Sequence, residues 1–362
     1  MSFRWILPFA LLMLVACGPD TTSGTSTGDE GDPGSVLDPD TSHKQIAPRD
    51  LSEKDFSLQM DRDSIKALLG SDRFKLVFRN NDEEYLILLD YTGDSVKMMK
   101  LADDFNAYHP TFSPDGKKIA FCTAYEGAPF GSGLYVINLE HPEDIDTLKV
   151  DNAAIPRWFV MPDGDTVITY IDFNGDDQKL EWFSSATWRV SYKGNKFGTP
   201  QKLFGRSYNG GFAYDFSFAA TGASRLYFHW AKDEDDVVDE RYNEQQVCNV
   251  SVSKDTSKLV SFLETAGQMG REFTQDTSGI WHRYVFYEDE TGKIVKAIIS
   301  PEMTVFDHVE WLSGIPVQVG ILSSMDLAYY DVILIDYPQS EVHYLVRSDS
   351  VSLWHPDLWI GR

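Results

Sequence analysis

The sequence has few cysteines, few basic residues and one long apolar run. Three cysteines among 362 residues are too few for a disulfide-rich scaffold. The chain has 32 Lys and Arg against 56 Asp and Glu, and its formal charge of −24 repels nucleic acid, which we exclude as a partner. The letters G-x-S-x-G occur at residues 24–28, in a polar stretch without the strand and helix that a nucleophile elbow needs, and there is no G-x-x-x-x-G-K-[ST] phosphate loop. The sequence therefore lacks the motifs of the commonest nucleophilic and nucleotide chemistry.

The apolar run lies at the start of the chain and predicts a lipoprotein signal peptide. It follows Arg4 and covers residues 5–16, too short a stretch for a permanent transmembrane helix. It ends in the letters LVAC, the pattern of a bacterial lipobox, in which the thiol of Cys17 receives the lipid. We therefore predict a lipid anchor on Cys17 in the bacterial cell envelope, periplasmic or surface-facing, with Gly18 favouring the outer membrane. A plain signal peptide is the alternative.

The rest of the chain divides into a tether, a short helical segment and a large β-rich region. Residues 17–48 are rich in Gly, Ser, Thr, Asp and Pro, so they bury too little apolar surface to fold and form a flexible acidic tether. Between residues 49 and 70 the apolar positions have helical spacing, and Gly70 is suited to end a helix. Residues 71–362 form the third region.

Short strand patterns repeat throughout this third region. The stretch "YHPTFSPDGKKIAF" from Tyr108 has a strand, a Pro-Asp-Gly turn and a second strand, and "IPRWFVMPDGDTVITY" from Ile155 has the same order. Aromatic residues mark the repeats at intervals near the 40 to 50 residues of a propeller blade. These markers are Phe112, Trp158, Phe216, Phe273, Trp311 and Trp359. The pattern predicts an all-β fold, a six-bladed β-propeller.

The two ends of this region predict how the ring closes. The first blade-like segment, from Gly70, lacks an inner strand, whereas "WHPDLW" near the C-terminus is an inner strand with no partner after it. We therefore predict that the C-terminal strand pairs into the first blade and closes the propeller, which removes the open sheet edges. A strand at the edge of an open sheet is the alternative.

These segments also carry a family resemblance. The stretch "HPTFSPDGKKIAF" resembles the repeat of TolB-like (PD40, WD40-like) propellers of bacterial periplasms. The stretches "AAIPRWFVMPDGDTVITYI", "KFGTPQKLF", "FDHVEW" and "LWHPDLW" resemble a paralogous lipoprotein family of unknown function from Fibrobacter, from about residue 72 onwards. The resemblance implies a propeller fold and an envelope location, and it leaves the activity open.

Three histidines open corresponding inner strands in the predicted blades. They are His109, His308 and His355, in three blades that are consecutive around a closed ring. Neutral imidazoles that converge at the propeller channel could hold a divalent metal such as Zn or Mn. In the alternative interpretation each histidine is a structural repeat element whose ring is hydrogen-bonded to the next blade, and the chain needs no cofactor.

Two tryptophans, Trp182 and Trp188, are candidates for stacking on sugar rings, and core packing is their alternative role. We predict a monomeric, membrane-anchored lipoprotein that binds a protein or glycan partner as a scaffold and is not an enzyme. The alternative is a metal-dependent, lyase-like enzyme acting on polysaccharides through the histidines. Convergence of the three rings would favour the enzyme, whereas burial between blades would favour the binding module.

Overall fold

The structure is a computed structural model that describes residues 51–123, 131–172, 185–205, 209–222, 225–230, 238–242, 247–264, 280, 282–325 and 330–362. The predicted lipidation site Cys17, the tether and Trp182 lie outside these ranges. Within them, no helix has the length and apolar character needed to span a membrane.

The described residues form six antiparallel sheets, which are the blades of a propeller. Blade 1 comprises β2 (Phe74–Asn80), β3 (Tyr85–Asp90), β4 (Lys97–Leu101) and β25 (Leu353–Ile360). Blade 2 comprises β5 (Tyr108–Phe112), β6 (Lys118–Cys122), β7 (Leu134–Asn138) and β8 (His141–Thr147). Blade 3 comprises β9 (Ala154–Val160), β10 (Thr166–Ile171), β11 (Ala186–Ser191) and β12 (Gln201–Gly205).

The second half of the ring follows the same order. Blade 4 comprises β13 (Asn209–Phe212), β14 (Phe218–Gly222), β15 (Leu226–Trp230) and β16 (Val238–Glu240). Blade 5 comprises β17 (Val247–Val252), β18 (Val260–Glu264), β19 (Tyr284–Glu288) and β20 (Ile294–Ile299). Blade 6 comprises β21 (Thr304–Trp311), β22 (Val317–Ser324), β23 (Tyr330–Asp336) and β24 (Glu341–Arg347), with β1 (Ser57–Leu58) as a fifth strand.

Ring closure occurs as the sequence predicts. The C-terminal strand β25 pairs antiparallel with β2 as the innermost strand of blade 1. The indole N–H of Trp359 in β25 donates to the Pro114 carbonyl of blade 2 at 3.0 Å, and the Lys75 ammonium in β2 donates to the Gly116 carbonyl at 2.8 Å. The closing strand is therefore bonded both to its own blade and to the next one.

A turn geometry that recurs from blade to blade explains the repeat. In four blades, a carboxylate in the turn after the inner strand accepts the backbone N–H two residues further on, at 2.9 to 3.1 Å. These turn residues are Asp115, Asp163, Asp215 and Asp255. Because such an Asx turn reverses the chain within a few residues, its recurrence sets the start of the second strand in each blade.

One of the marker aromatics, Phe216, was wrong, and another, Phe273, is not described by the structure. In blade 4 the residue that ends the inner strand, as Phe112 does in blade 2, is Phe212, and Phe216 lies in the turn at φ 59°. In blade 5 the inner strand ends at Val252, and Phe273 lies outside the described residues. The aromatic spacing failed here because "SVSKDTSKLVSF" keeps the turn carboxylate of Asp255 and has no aromatic before it.

The segment before blade 1 joins the first blade to the last. Strand β1 pairs with β24 at the outer edge of blade 6. It is followed by α1 (Arg62–Leu69), whose N-cap Asp61 accepts the Ser64 N–H at 2.7 Å and which ends at Gly70 with φ 77°. Two helix residues, Ile65 and Leu69, are buried in the core shared by blades 1 and 6. The helix thus seals the seam at which the ring closes.

Candidate functional site

All six inner strands have the same backbone irregularity near the centre of the ring. One residue in each strand has φ between 45° and 95°, beside a shift in strand register. These residues are His109, Ile155, Gly211, Asn249, His308 and His355. Positive φ is costly for most side chains, so its recurrence at one position marks a β-bulge that the fold maintains. The three predicted histidines all occupy this bulge position.

Side chains at the bulges bond neighbouring blades together. The His355 Nδ1 accepts the backbone N–H of His109 at 3.4 Å, and the Asn249 side-chain oxygen accepts the N–H of Val309 at 2.6 Å. A bulge leaves backbone N–H groups out of the strand ladder, and a buried N–H needs an acceptor. His355 therefore has the structural role considered for the histidines, because its ring is hydrogen-bonded to the next blade.

The same arrangement recurs two residues further along the strands. In blade 1 the Asp357 carboxylate accepts the N–H of Phe112 in blade 2 at 2.6 Å. In blade 5 the Ser251 hydroxyl accepts the N–H of Trp311 in blade 6 at 3.2 Å. The inner strands thus bond to one another through side chains as well as through their own sheets.

The three histidine rings come together. The rings of His109 and His355 are stacked, with centroids 3.9 Å apart and planes 18° apart. The ring of His308 meets His355 edge-on at 3.9 Å and lies 6.2 Å from His109. His308 and His355 are 8% and 6% exposed, so the rings both converge and lie buried between blades. Convergence of the rings, which would favour the enzyme, and burial between blades, which would favour the binding module, therefore occur together.

Burial keeps these imidazoles neutral. It lowers the pKa of His308 to about 3, and it lowers the pKa values of His109 and His355 well below 6.5, with the neighbouring histidines adding to the effect. A fourth buried histidine, His282, has its pKa lowered to about 4 by burial. Beside them, burial raises the pKa of the Asp307 carboxyl.

Ring orientation decides what the cluster can do chemically. The lone pair of an imidazole nitrogen lies in the ring plane, so the lone pairs of two stacked rings lie in two nearly parallel planes and do not meet at one ion. Across the described residues, no group of three or more His, Cys, Asp or Glu side chains is arranged to hold a metal ion. The arrangement does fit packing of three neutral rings against each other.

An ion pair that the sequence did not predict crosses the centre of the ring. Arg157 lies two residues beyond the bulge of blade 3 and Glu310 two residues beyond the bulge of blade 6, the blade directly opposite. Their side chains form a two-pronged pair, with Arg157 Nη2 2.6 Å from Glu310 Oε1. The Ser251 hydroxyl also donates to Glu310 Oε2 at 2.7 Å. The channel is therefore bridged from wall to wall by side chains.

Of the two candidate tryptophans, Trp188 lies in the described part of the chain. It is in β11, half-buried, and packs against the apolar core between blades 2 and 3. Its indole N–H donates to the Asp172 carboxylate at 2.7 Å, which also accepts the N–H of Ala186 at 2.7 Å. These contacts match the core-packing alternative for Trp188.

The comparisons with known proteins give likenesses to solved structures only. No family model and no curated protein matches the sequence. Among solved structures, a chain of Kuenenia stuttgartiensis hydrazine synthase matches with TM-score 0.53 and 8% identity, over 79% of this chain and 46% of that one. TolB from Acinetobacter baumannii matches with TM-score 0.46 and 13% identity, over 80% and 67%. The propeller domain of the Pyrococcus furiosus Trilobed protease matches with TM-score 0.44 and 12% identity, over 80% and 92%.

These likenesses concern the fold alone, and this chain spans less than half of the hydrazine synthase chain. The resemblance to the Fibrobacter lipoproteins stays a prediction. The six sheets and the closing strand show that the chain is a six-bladed β-propeller.

Proposed function

We propose that the protein is a membrane-anchored envelope lipoprotein whose propeller is a rigid binding module for a protein or glycan partner. The observation that carries the proposal is the use of the central side chains to bond blades together. The contact of His355 with the His109 N–H and the Arg157–Glu310 pair both serve this purpose. A ring bonded through its centre keeps the turns and loops on its two faces in fixed positions, which suits recognition by those faces.

The anchor rests on the sequence, where LVAC precedes a flexible tether. The test is to express the full chain in a bacterium, label it with an alkyne fatty acid, and compare it with Cys17→Ala. We expect label and membrane sedimentation in the parent and neither in the variant. Label that persists in Cys17→Ala, or a parent that is secreted without lipid, would overturn the anchor.

Partner binding is tested in the same cells by photo-cross-linking from the exposed turns of the two faces. We expect discrete cross-linked bands from some face positions and none from positions on the outer strands of the blades. Equal, diffuse cross-linking from every position would contradict a specific binding module.

A second function, a metal-dependent lyase, is favoured by the approach of the three histidine rings to within 3.9 to 6.2 Å. Metal content by mass spectrometry on the full chain separates it from the binding module, with His109→Ala and His355→Ala as comparison. We expect substoichiometric metal that the two changes leave unaltered. Stoichiometric Zn or Mn that falls in both variants would favour the enzyme.

A further inference from the structure

A cleft of about 770 Å³ lies between blades 1 and 2, near the end of β25 opposite to His355. Its walls are the turns that follow the inner and third strands of these blades, the start of β2 and the last residues of the chain. The volume is within the range of about 300–1,000 Å³ found for small-molecule sites. The histidine cluster and the central ion pair contribute nothing to its lining.

Basic side chains are concentrated in this cleft. Five of them line it, against four acidic ones, whereas the whole chain has 32 basic and 56 acidic residues. They are Lys66, Arg73, Lys75, Lys117 and Arg362. All except Lys75 are exposed, so their charged ends can reach a ligand. The cleft is therefore close to neutral in a protein of net charge −24, so an anionic group is repelled less here than by the rest of the surface.

Two of the acidic residues of the cleft are engaged in their own turns. Asp90 Oδ1 accepts the N–H and the hydroxyl of Thr92, at 2.8 and 2.6 Å. Asp115 Oδ1 accepts the Ser113 hydroxyl at 2.6 Å and the Lys117 N–H at 3.1 Å. These bonds hold both carboxylates in fixed positions within their own turns.

The other two acidic residues are Asp72 and Glu140, and Glu140 lies 3.5 Å from the Lys117 ammonium. Both of these side chains are exposed to solvent, 57% for Lys117 and 65% for Glu140, so their mutual attraction is weak. An anionic ligand can therefore compete for Lys117.

The floor of the cleft is apolar and includes one aromatic ring. Leu88, Met99 and Leu139 line it together with Trp359. The Trp359 ring is half-buried and is held in orientation by its N–H bond to Pro114 and by contact with Gly116, where an added Cβ would lie 2.3 Å from the ring. A fixed, partly exposed indole beside ammonium groups offers a flat apolar surface next to positive charge.

We propose that this cleft binds an acidic saccharide, with its carboxylates at Lys66 and Lys117 and a sugar ring against Trp359. The proposal deepens the proposed function by naming the class of its glycan partner. A uronic acid presents the apolar C–H face of its sugar ring beside a carboxylate, so it uses both the aromatic floor and the basic rim of the cleft, whereas a peptide of acidic residues alone uses only the rim.

The test is calorimetric titration of the full chain in detergent with trigalacturonic acid at low salt. Its methyl ester, which is neutral, and triglutamate are titrated in parallel. The variant is Lys66→Ala/Lys117→Ala. Both side chains are exposed, so we expect their removal to leave the fold intact. Lys149→Ala, an exposed lysine outside the cleft, is the matched control.

We expect the acid to bind more tightly than its ester, and the double variant to weaken binding at least about tenfold, with Lys149→Ala unchanged. Equal binding of the ester, tighter binding of triglutamate, an equal loss in Lys149→Ala, or no binding by the parent would each overturn the proposal. Cross-linking in cells detects a partner bound at any surface of the protein. If the parent is cross-linked but does not bind the saccharide in this titration, the acidic-saccharide proposal fails and the proposed function stands.

Discussion

The ion pair across the centre gives the sharpest test of how the ring is held together. Arg157→Met removes the guanidinium and keeps most of the apolar stem, and Glu310→Gln removes the charge and keeps an acceptor for Ser251. The two side chains are 17% and 21% exposed, between the fully buried and the surface case. Breaking a buried pair costs about 3–5 kcal/mol and a surface pair about 0–1 kcal/mol. We therefore expect each change to lower the free energy of unfolding by about 2–3 kcal/mol.

The assay is urea unfolding of the two single variants and the double variant, as a double-mutant cycle. Because both changes remove the same contact, the double variant should lose about 1–2 kcal/mol less than the sum of the single losses. In thermal unfolding the single variants should melt roughly 4–10 °C lower.

The matched control is the pair Lys193–Asp165, which is 2.5 Å apart and whose side chains are 62% and 50% exposed. Lys193→Met and Asp165→Asn should each change stability by less than about 0.5 kcal/mol and show little coupling. If the central pair behaves like this control, with additive losses of the same size, then blades 3 and 6 are not held together through the channel and the argument for a rigid centre fails.

Three further outcomes follow from the same structure. The pKa of histidine is near 6.5 in the unfolded chain and about 3 for His308 in the folded one, so the contribution of His308 to the free energy of unfolding is complete above pH 6.5 and falls as the pH is lowered. His308→Gln should therefore make the free energy of unfolding in urea less dependent on pH, by at most about 2 kcal/mol at pH 5. An unchanged dependence on pH would contradict this. Gly116→Ala should destabilise more than Gly164→Ala, because both have positive φ but only Gly116 faces the Trp359 ring; equal melting temperatures would argue against that contact. Deletion of residues 353–362 should abolish cooperative unfolding of the ring, and a truncated chain with a parent-like transition would refute closure by β25.

The architecture was predictable because its signals are local. A turn carboxylate such as Asp115 acts within a few residues, so a single copy of the repeat reveals both the turn and the strand after it. Closure was predictable because the first and last segments are complementary halves of one blade. Blade 5 escaped the aromatic pattern because burial of Val252 requires an apolar residue there and does not require an aromatic ring.

The chemistry at the centre was less predictable because it depends on contacts between distant strands. The sequence placed the three histidines on inner strands of consecutive blades, but their convergence and stacking accompany a bulge at positive φ, which the sequence alone does not reveal. The partners Arg157 and Glu310 are separated by 153 residues and meet because blades 3 and 6 face each other. Arg157 and Glu310 each lie two residues beyond a bulge position, and this shared position could have been recognised by aligning the six inner strands.

The closing strand β25 connects the centre of the ring to the cleft. His355 near its start bonds to blade 2 at the centre, and Trp359 near its end lines the cleft. A ligand that contacts Trp359 and Lys117 touches both blades 1 and 2, so it binds the closed ring and not the opened one. Binding must then stabilise closure, by about 2.7 kcal/mol at a ligand concentration one hundred times its Kd. Trigalacturonic acid should therefore raise the melting temperature of the parent and leave that of Lys66→Ala/Lys117→Ala almost unchanged, and equal shifts in both would place the ligand elsewhere.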